Sequence, residues 1–334
     1  MNQLTSTSNK GVFLLSILGF LGTLCISCAA KVPAAASVPD AASDAASDAA
    51  SDAASDDAVE SRSHVVVSDV GFATPECVLH MADEDVYLVS NINGSPFAAD
   101  GNGFVSRLAP DGTVVDLKWI DGAKEGVTLN APKGMGVSNG TLYIADVDHI
   151  RMFDAETGAP AGELKIENST FLNDVAVSSG GTVYVSDSGF LDGFAPSGSD
   201  AIYKVNGEGA VESVIAGETL GHPNGLLAKD SGELLVVTFG SGEVYTVSGE
   251  EKPERSEGVK PEHGSLDGIV SLSSGEVLVS SWASSGIYKG TENGPFTTVI
   301  ADVDAPADIG WDGQRNRVLI PLFKQNSVVI HELK

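Results

Sequence analysis

Residues 171–187 read FLNDVAVSSGGTVYVSD. A polar pair, Asn173-Asp174, opens an apolar segment, and a β-rich run then closes on Asp187. Branched and aromatic residues suit a pleated, half-buried surface, so the segment reads as strands. The same pattern is written six times. Its opening reads Thr-Pro-Glu-Cys-Val at 74–78, Ala-Pro-Lys-Gly-Met at 131–135, Phe-Leu-Asn-Asp-Val at 171–175, His-Pro-Asn-Gly-Leu at 222–226, Ser-Leu-Asp-Gly-Ile at 265–269 and Pro-Ala-Asp-Ile-Gly at 306–310. The central polar residues are Glu76, Lys133, Asn173, Asn224, Asp267 and Asp308, spaced 57, 40, 51, 43 and 41 positions apart. Between 13 and 15 residues after each, the β-rich run ends, at Asn91, Asp146, Asp187, Thr238, Ser281 and Leu322.

A further strand follows in every copy: FVSRL, HIRMF, AIYKV, EVYTV, GIYKG and SVVIHEL. In four copies a turn such as Asp111-Gly112 or Asn293-Gly294 leads to a fourth short strand, such as TVVDL or FTTVI. Four strands per unit and units of about 40 to 57 residues describe propeller blades. The spacing therefore predicts an all-β fold, a six-bladed β-propeller over residues 64–334. The last unit reaches Lys334 without a fourth strand, while a spare strand, HVVVS at His64 to Ser68, precedes the first. Pairing it with Ser327 to Leu333 closes the ring and removes an open edge.

Two segments precede the body. Residues 1–28 have the form of an export signal, with Lys10 before the apolar run Val12 to Leu24 and no acid before Asp40. The run is short for a membrane span, which needs roughly 20 apolar residues. Cys25-Ile26-Ser27-Cys28-Ala29 resembles a bacterial lipobox with Cys28 as the lipidated residue, although Cys25 stands where Leu is usual. Ordinary cleavage nearby is the alternative. Residues 29–63 are rich in Ala, Ser and Asp, with four Ala-Ala-Ser-Asp copies ending on Asp44, Asp48, Asp52 and Asp56. Acids at i,i+4 repel and no apolar face exists, so the segment is expected to be a disordered tether. These readings place the chain as an exported bacterial lipoprotein, held to a membrane by its N-terminus on the periplasmic side or at the cell surface. Cys77 is then the sole thiol, expected as a small buried residue.

The formal net charge is −27, from 46 acids against 19 basic residues. No Lys/Arg stripe exists, which excludes nucleic acid as a partner. The charge reads either as a solvated surface or as an attraction for cations, and the latter needs clustered oxygens.

In a propeller the first strand of every blade lines the central channel, so the six polar residues converge there. Asn and Asp also suit turns that enter a strand, capping backbone N–H groups. Capping does not account for Glu76 or Lys133. Glu76, Asn173, Asn224 and Asp267 offer two carboxylates and two amide carbonyls, which matches a hard cation such as Ca²⁺ or another divalent ion. Lys133 is expected either in an ion pair with Asp308 or Asp267, or against an anionic group. His222, beside the ring, reads as an exposed loop residue or a proton shuttle. Ser90 to Phe104 reads as a lid or a long hairpin, and Trp119, Trp282 and Trp311 read as packing.

Pro-Glu at 75–76, Leu-Asn-Asp at 172–174, Pro-Asn-Gly at 223–225 and Leu-Asp-Gly at 266–268, in this order, resemble the SMP-30/gluconolactonase/LRE-like family and, more distantly, calcium-dependent paraoxonases. The resemblance spans about residues 70 to 334. It implies a divalent cation on Glu76, Asn224 and Asp267, with Asn173 on metal or substrate, and hydrolysis of lactones or esters. Asp267 would take the proton from the attacking water. Sugar-lactone members usually carry a basic residue where this chain has Phe171, and Val175 replaces a usual Gly. The departure points to a less polar or different substrate, with Lys133, Phe171, Asn173 and Asp308 as its contacts. The alternative is a non-catalytic propeller that binds a ligand or a protein at the cell surface around a structural metal. The expected partners are a small-molecule substrate or ligand in the central channel and the membrane at the lipidated N-terminus, with the chain a monomer.

Overall fold

The computed structural model describes residues 64–206, 209–249 and 251–333. The export signal, the lipidation site Cys28 and the tether lie outside the described residues. The body is a six-bladed β-propeller, and each blade is a four-stranded antiparallel sheet. Blade 1 runs through Pro75–Met81, Val86–Asn91, Phe104–Leu108 and Val114–Asp121. Blade 2 follows with Pro132–Ser138, Thr141–Asp146, His149–Asp154 and Pro160–Lys165. Blade 3 uses Leu172–Val177, Val183–Asp187, Ala201–Val205 and Val211–Ala216. It also carries a small hairpin, Phe190–Leu191 with Ala195–Pro196. Blade 4 is Pro223–Ala228, Leu234–Thr238, Val244–Ser248 and Glu254–Arg255. Blade 5 is Leu266–Ser271, Val277–Ser281, Gly286–Gly290 and Thr297–Ile300.

Blade 6 takes three strands from the C-terminus, Gly310–Asp312, Arg317–Leu322 and Ser327–Glu332, and its outermost strand, His64–Val67, from the other end of the described chain. The register runs from His64↔His331 to Val67↔Val328. The ring is closed by the strand that the sequence left spare.

The second strand of each blade is buried on both faces, because each blade is sandwiched by its neighbours. This explains why those strands read as continuous apolar runs rather than alternating ones. Six hydrophobic clusters result, one between each pair of adjacent blades. Between blades 6 and 1, Val67, Val328 and Ile330 pack with Tyr87, Val89 and Leu108.

A polar latch crosses the same seam. The Tyr87 hydroxyl donates to Asp312 Oδ2 at 2.6 Å, and Arg315 bridges Asp312 (3.0 Å) and Asp85 (2.6 Å). Burial, then the bond to Asp312, pushes the Tyr87 phenol up to about 12, so the hydroxyl stays a donor. A hydrogen bond to a charged group is worth roughly 1.5–3 kcal/mol. Tyr87→Phe is therefore expected to lower stability by about 1.5 kcal/mol, roughly 4 °C in Tm for a domain of this size. A thermal scan showing an unchanged midpoint would mean that the latch contributes nothing.

The inner strands share one irregularity. Pro75 pairs with Asn91 and Val78 with Val89, so three steps on one strand match two on the other. The same extra residue occurs between Pro132 and Met135, Leu172 and Val175, Pro223 and Leu226, and Leu266 and Ile269. In blade 6 Pro306 faces Leu322 and Gly310 faces Leu319, four steps against three. A β-bulge re-aims side chains and bends its strand. Here it turns two consecutive residues per blade toward the axis. Serines of the second strand hold the bulge: Ser90, Ser186 and Ser280 accept from the backbone N–H of Cys77, Asp174 and Gly268 at 2.7–2.9 Å. Ser186 and Ser280 also donate to the carbonyls of Asn224 and Ala307 in the next blade.

This register corrects the sixth member of the ring. The residues after Pro75, Pro132, Leu172, Pro223 and Leu266 are Glu76, Lys133, Asn173, Asn224 and Asp267, and the residue after Pro306 is Ala307. Asp308 falls one place later, level with Cys77, to which it is bridged. The interval from ring residue to second-strand end varies by a residue or two among blades, and this allowed the acid to be counted in place of the alanine.

Candidate active site

The first bulge residues form the floor of a cavity at one mouth of the channel. Glu76, Lys133, Asn173, Asn224 and Asp267 all line it, and all are buried. The second bulge residues, Cys77, Gly134, Asp174, Gly225, Gly268 and Asp308, form the next layer. Cys77, Asp174 and Asp308 open instead onto a separate cavity of about 260 Å³ shared with Met135 and Trp311. Asp308 is thus not a wall of the first cavity. Glycine is required in this layer where the next blade comes close: a Cβ on Gly134 would collide with Asp174, and one on Gly268 with the backbone of Ile309. Cys77 is buried as expected of a small apolar residue, and burial pushes its thiol well above its usual value.

Three oxygens on the floor have no hydrogen-bond partner: Glu76 Oε2, Asn224 Oδ1 and Asp267 Oδ1. Buried polar atoms are normally satisfied, so orphans call for a reason. Asn173 is oriented by its amide nitrogen, which donates to Ser188 Oγ at 3.0 Å, and Ser188 in turn donates to the Pro223 carbonyl at 2.7 Å. Burial raises Glu76 well above the usual carboxylate range, with Asp267 and Asp308 adding to the effect and Lys133 opposing it. Burial likewise pushes Asp267 up to about 8, against a downward pull from the Trp282 indole and an upward one from Asp174. The Trp282 N–H closes no regular hydrogen bond and is itself an orphan. The donor set is oxygen-only and hard, and its two acids would ionise once a positive charge offset their burial, so it fits a divalent cation of the Ca²⁺ type. With two acids on the floor, the described residues contain no cluster of three or more His, Cys, Asp or Glu suited to a metal. A cation held on this floor would therefore also need the amide oxygens of Asn173 and Asn224.

Lys133 does not form the ion pair expected with Asp308 or Asp267. Its Nζ donates to the Ala131 carbonyl at 3.1 Å and sits 4.5 Å from the centre of the Phe171 ring. Burial lowers its pKa, while Asp146, Glu76 and Asp187 act in the other direction. A ring face and a carbonyl thus partly replace the missing counter-ion.

Above the floor the walls are aromatic. Phe171, expected from the sequence, lies 4.8 Å from Phe97 and 5.9 Å from Phe190. Phe190 meets Phe239, Phe239 meets Trp282, and Trp282 meets Phe323, in tilted and edge-to-face pairs. Trp282 is therefore a wall of the cavity and not blade packing, because it lies just beyond the end of the second strand. Phe239 and Phe323 hold the same place in their blades, directly after Thr238 and Leu322. That repeated aromatic was the signal in the sequence for this wall. The Ser90 to Phe104 segment supplies Ile92 and Pro96 to the wall, and Phe97 packs on Phe171 and Phe194. It covers part of the mouth. His222 is neither exposed nor at the floor: it stacks on Phe190 at 4.3 Å, with Nδ1 2.7 Å from the Ser188 carbonyl.

Fold and site together define a six-bladed β-propeller with an oxygen-lined floor and an aromatic mouth. No protein-family profile and no curated protein matches the chain. Solved structures do match. A gluconolactonase from Xanthomonas campestris is 18% identical with a TM-score of 0.65, over 81% of this chain and 89% of that one. Virginiamycin B lyase from Staphylococcus aureus is 12% identical with a TM-score of 0.59, over 81% and 100%. A luciferin-regenerating enzyme is 11% identical with a TM-score of 0.56, over 81% and 97%. At these identities the likeness is one of fold, and it agrees with the propeller that the repeats predict.

Proposed function

We propose that this chain is a divalent-cation-dependent hydrolase of lactones or related esters. The observation that carries this reading is the convergence of three orphaned, buried oxygens, on Glu76, Asn224 and Asp267, at the floor of one cavity. The gluconolactonase among proteins of the same fold supports the substrate class. Glu76, Asn173, Asn224 and Asp267 would hold the cation. When bound, it supplies Lewis-acid polarisation of a substrate carbonyl.

The chain's own residues do the rest. Asn173 lines the cavity with its amide nitrogen tied to Ser188, which would leave its amide oxygen for the cation or the substrate. Asp267 is the general base: it accepts a proton as water adds to the carbonyl carbon. The ester C–O bond then breaks, and the proton passes from Asp267 to the departing alkoxide, giving a hydroxy acid from a lactone. Lys133, anchored on the Ala131 carbonyl, places a donor near the same floor. The aromatic walls exclude bulk water, which strengthens each of these electrostatic interactions.

Turnover of a panel of lactones and aryl esters, measured with calcium and with chelator, tests the proposal. Activity should require the cation and should fall by at least ~100-fold in Glu76→Gln and Asp267→Asn, the loss typical of a removed transition-state contact. Calcium binding without turnover would instead favour a ligand-binding propeller built around a structural metal.

A further inference from the structure

We infer that the substrate of this site is a lactone or ester with an apolar, ring-containing body, not a polyhydroxylated sugar lactone. The inference rests on the hydrolase reading for the word substrate, and on the cavity walls for the class. Every carboxylate, amide and amine of the cavity sits on the floor, on the first bulge residues. The walls above are Phe171, Phe190, Phe194, Phe239, Trp282 and Phe323, closed on the remaining side by Ile92 and Pro96. The sole hydrogen-bonding side-chain atom among these wall residues is the Trp282 indole nitrogen, which is a donor only.

A sugar lactone carries hydroxyls around its ring. Placed here, one polar group of the substrate meets the floor and the hydroxyls face aromatic carbon. Each hydroxyl taken from water without a partner is penalised. An apolar ring in the same position loses nothing and buries its whole surface against rings that prefer edge-to-face and offset contacts. Phe171 ties wall to floor, since its ring is also the face on which Lys133 rests. The rim is built to admit such a body: Phe194, on the hairpin inserted in blade 3, is 49% exposed yet touches Phe97, Phe171 and Phe190.

The test uses a matched pair of inert lactams and their lactones on the full chain loaded with calcium. The lactams are 3,4-dihydro-2-quinolinone and glucono-δ-lactam, followed by calorimetry. The lactones are 3,4-dihydrocoumarin and glucono-δ-lactone, followed by acid release. The aromatic lactam should bind roughly 100-fold more tightly than the sugar lactam, and kcat/KM should follow the same order. Phe194→Ser, at a half-exposed position on the inserted hairpin and outside the blade sheets, should weaken the aromatic lactam about tenfold and leave the sugar lactam unchanged. Equal or tighter binding of the sugar lactam, or no binding of the aromatic one, overturns the inference. Tight, Phe194-dependent binding of the aromatic lactam with neither lactone hydrolysed upholds the ligand class and removes the hydrolase reading instead.

Discussion

A chain beginning at Asp69 should unfold about 10–15 °C below one beginning at His64, and it should aggregate on heating. Residues His64–Val67 make four register pairs with Ser327–Glu332, and Val67 is buried in the cluster between blades 6 and 1. Burying one valine is worth about 1.5–3 kcal/mol, and each ladder hydrogen bond about 1 kcal/mol. The four pairs make about four such bonds, so the total is roughly 5.5–7 kcal/mol, which corresponds to that shift at about 2 °C per kcal/mol for a large domain. Removal also bares the edge of Ser327–Glu332, whose Val328, Val329 and Ile330 are otherwise buried, and such an edge invites pairing with other chains. Circular dichroism melting curves and light scattering check both effects. A rescue sharpens the test. His64 pairs with His331, next to the end of the C-terminal strand, so the sequence HVVVS moved behind Lys334 through a short turn forms the same ladder as a hairpin. That rearranged chain should recover most of the lost stability. A truncated chain that melts within about 3 °C of the intact one would show that the propeller closes by other means.

The second large effect is a reversal of order. With calcium at about 100 times its Kd, the wild-type chain should gain roughly 2.7 kcal/mol, near 8 °C. Glu76→Gln and Asp267→Asn should lose most of this gain. With chelator the ranking should invert, and each variant should melt at or above the wild type. The reason is the floor itself. Glu76 and Asp267 are buried side by side with orphaned oxygens, and a neutral amide of the same shape carries less desolvation and less mutual repulsion there. Differential scanning fluorimetry of three proteins in two buffers contains the whole experiment. Variants that keep the full calcium shift would remove these residues from the metal site. Variants markedly weaker than wild type in chelator would mean that the carboxylates serve the fold and not a ligand.

Much of this architecture was legible because a propeller writes its blade repeatedly. The interval between the ring residue and the end of the second strand carried the strand order, and the unmatched HVVVS carried the closure. The convergence of Glu76, Lys133, Asn173, Asn224 and Asp267 on one floor was legible for the same reason, since the bulge recurs at one position in every blade. Asp308 was misplaced where the repeat has no polar residue to mark it: Ala307 holds the ring position, and an acid stands next to it. The partners of Lys133 could not be read, because a carbonyl two residues back and a ring from the next blade leave no charge pattern. The aromatic wall was half hidden. Phe239, Trp282 and Phe323 recur at one position, but Phe97, Phe190 and Phe194 come from two insertions with no counterpart in other blades. Insertions escape repeat analysis because their paths are set by tertiary contacts alone.

The closing strand has one more implication. Blades 1 to 5 are each written in one continuous stretch of chain, whereas blade 6 joins His64–Val67 to Ser327–Glu332, so the first-made strand waits for the last-made one. During synthesis the ring therefore stays open until its final residues emerge, and the closing blade ties five locally folding units into one cooperative whole.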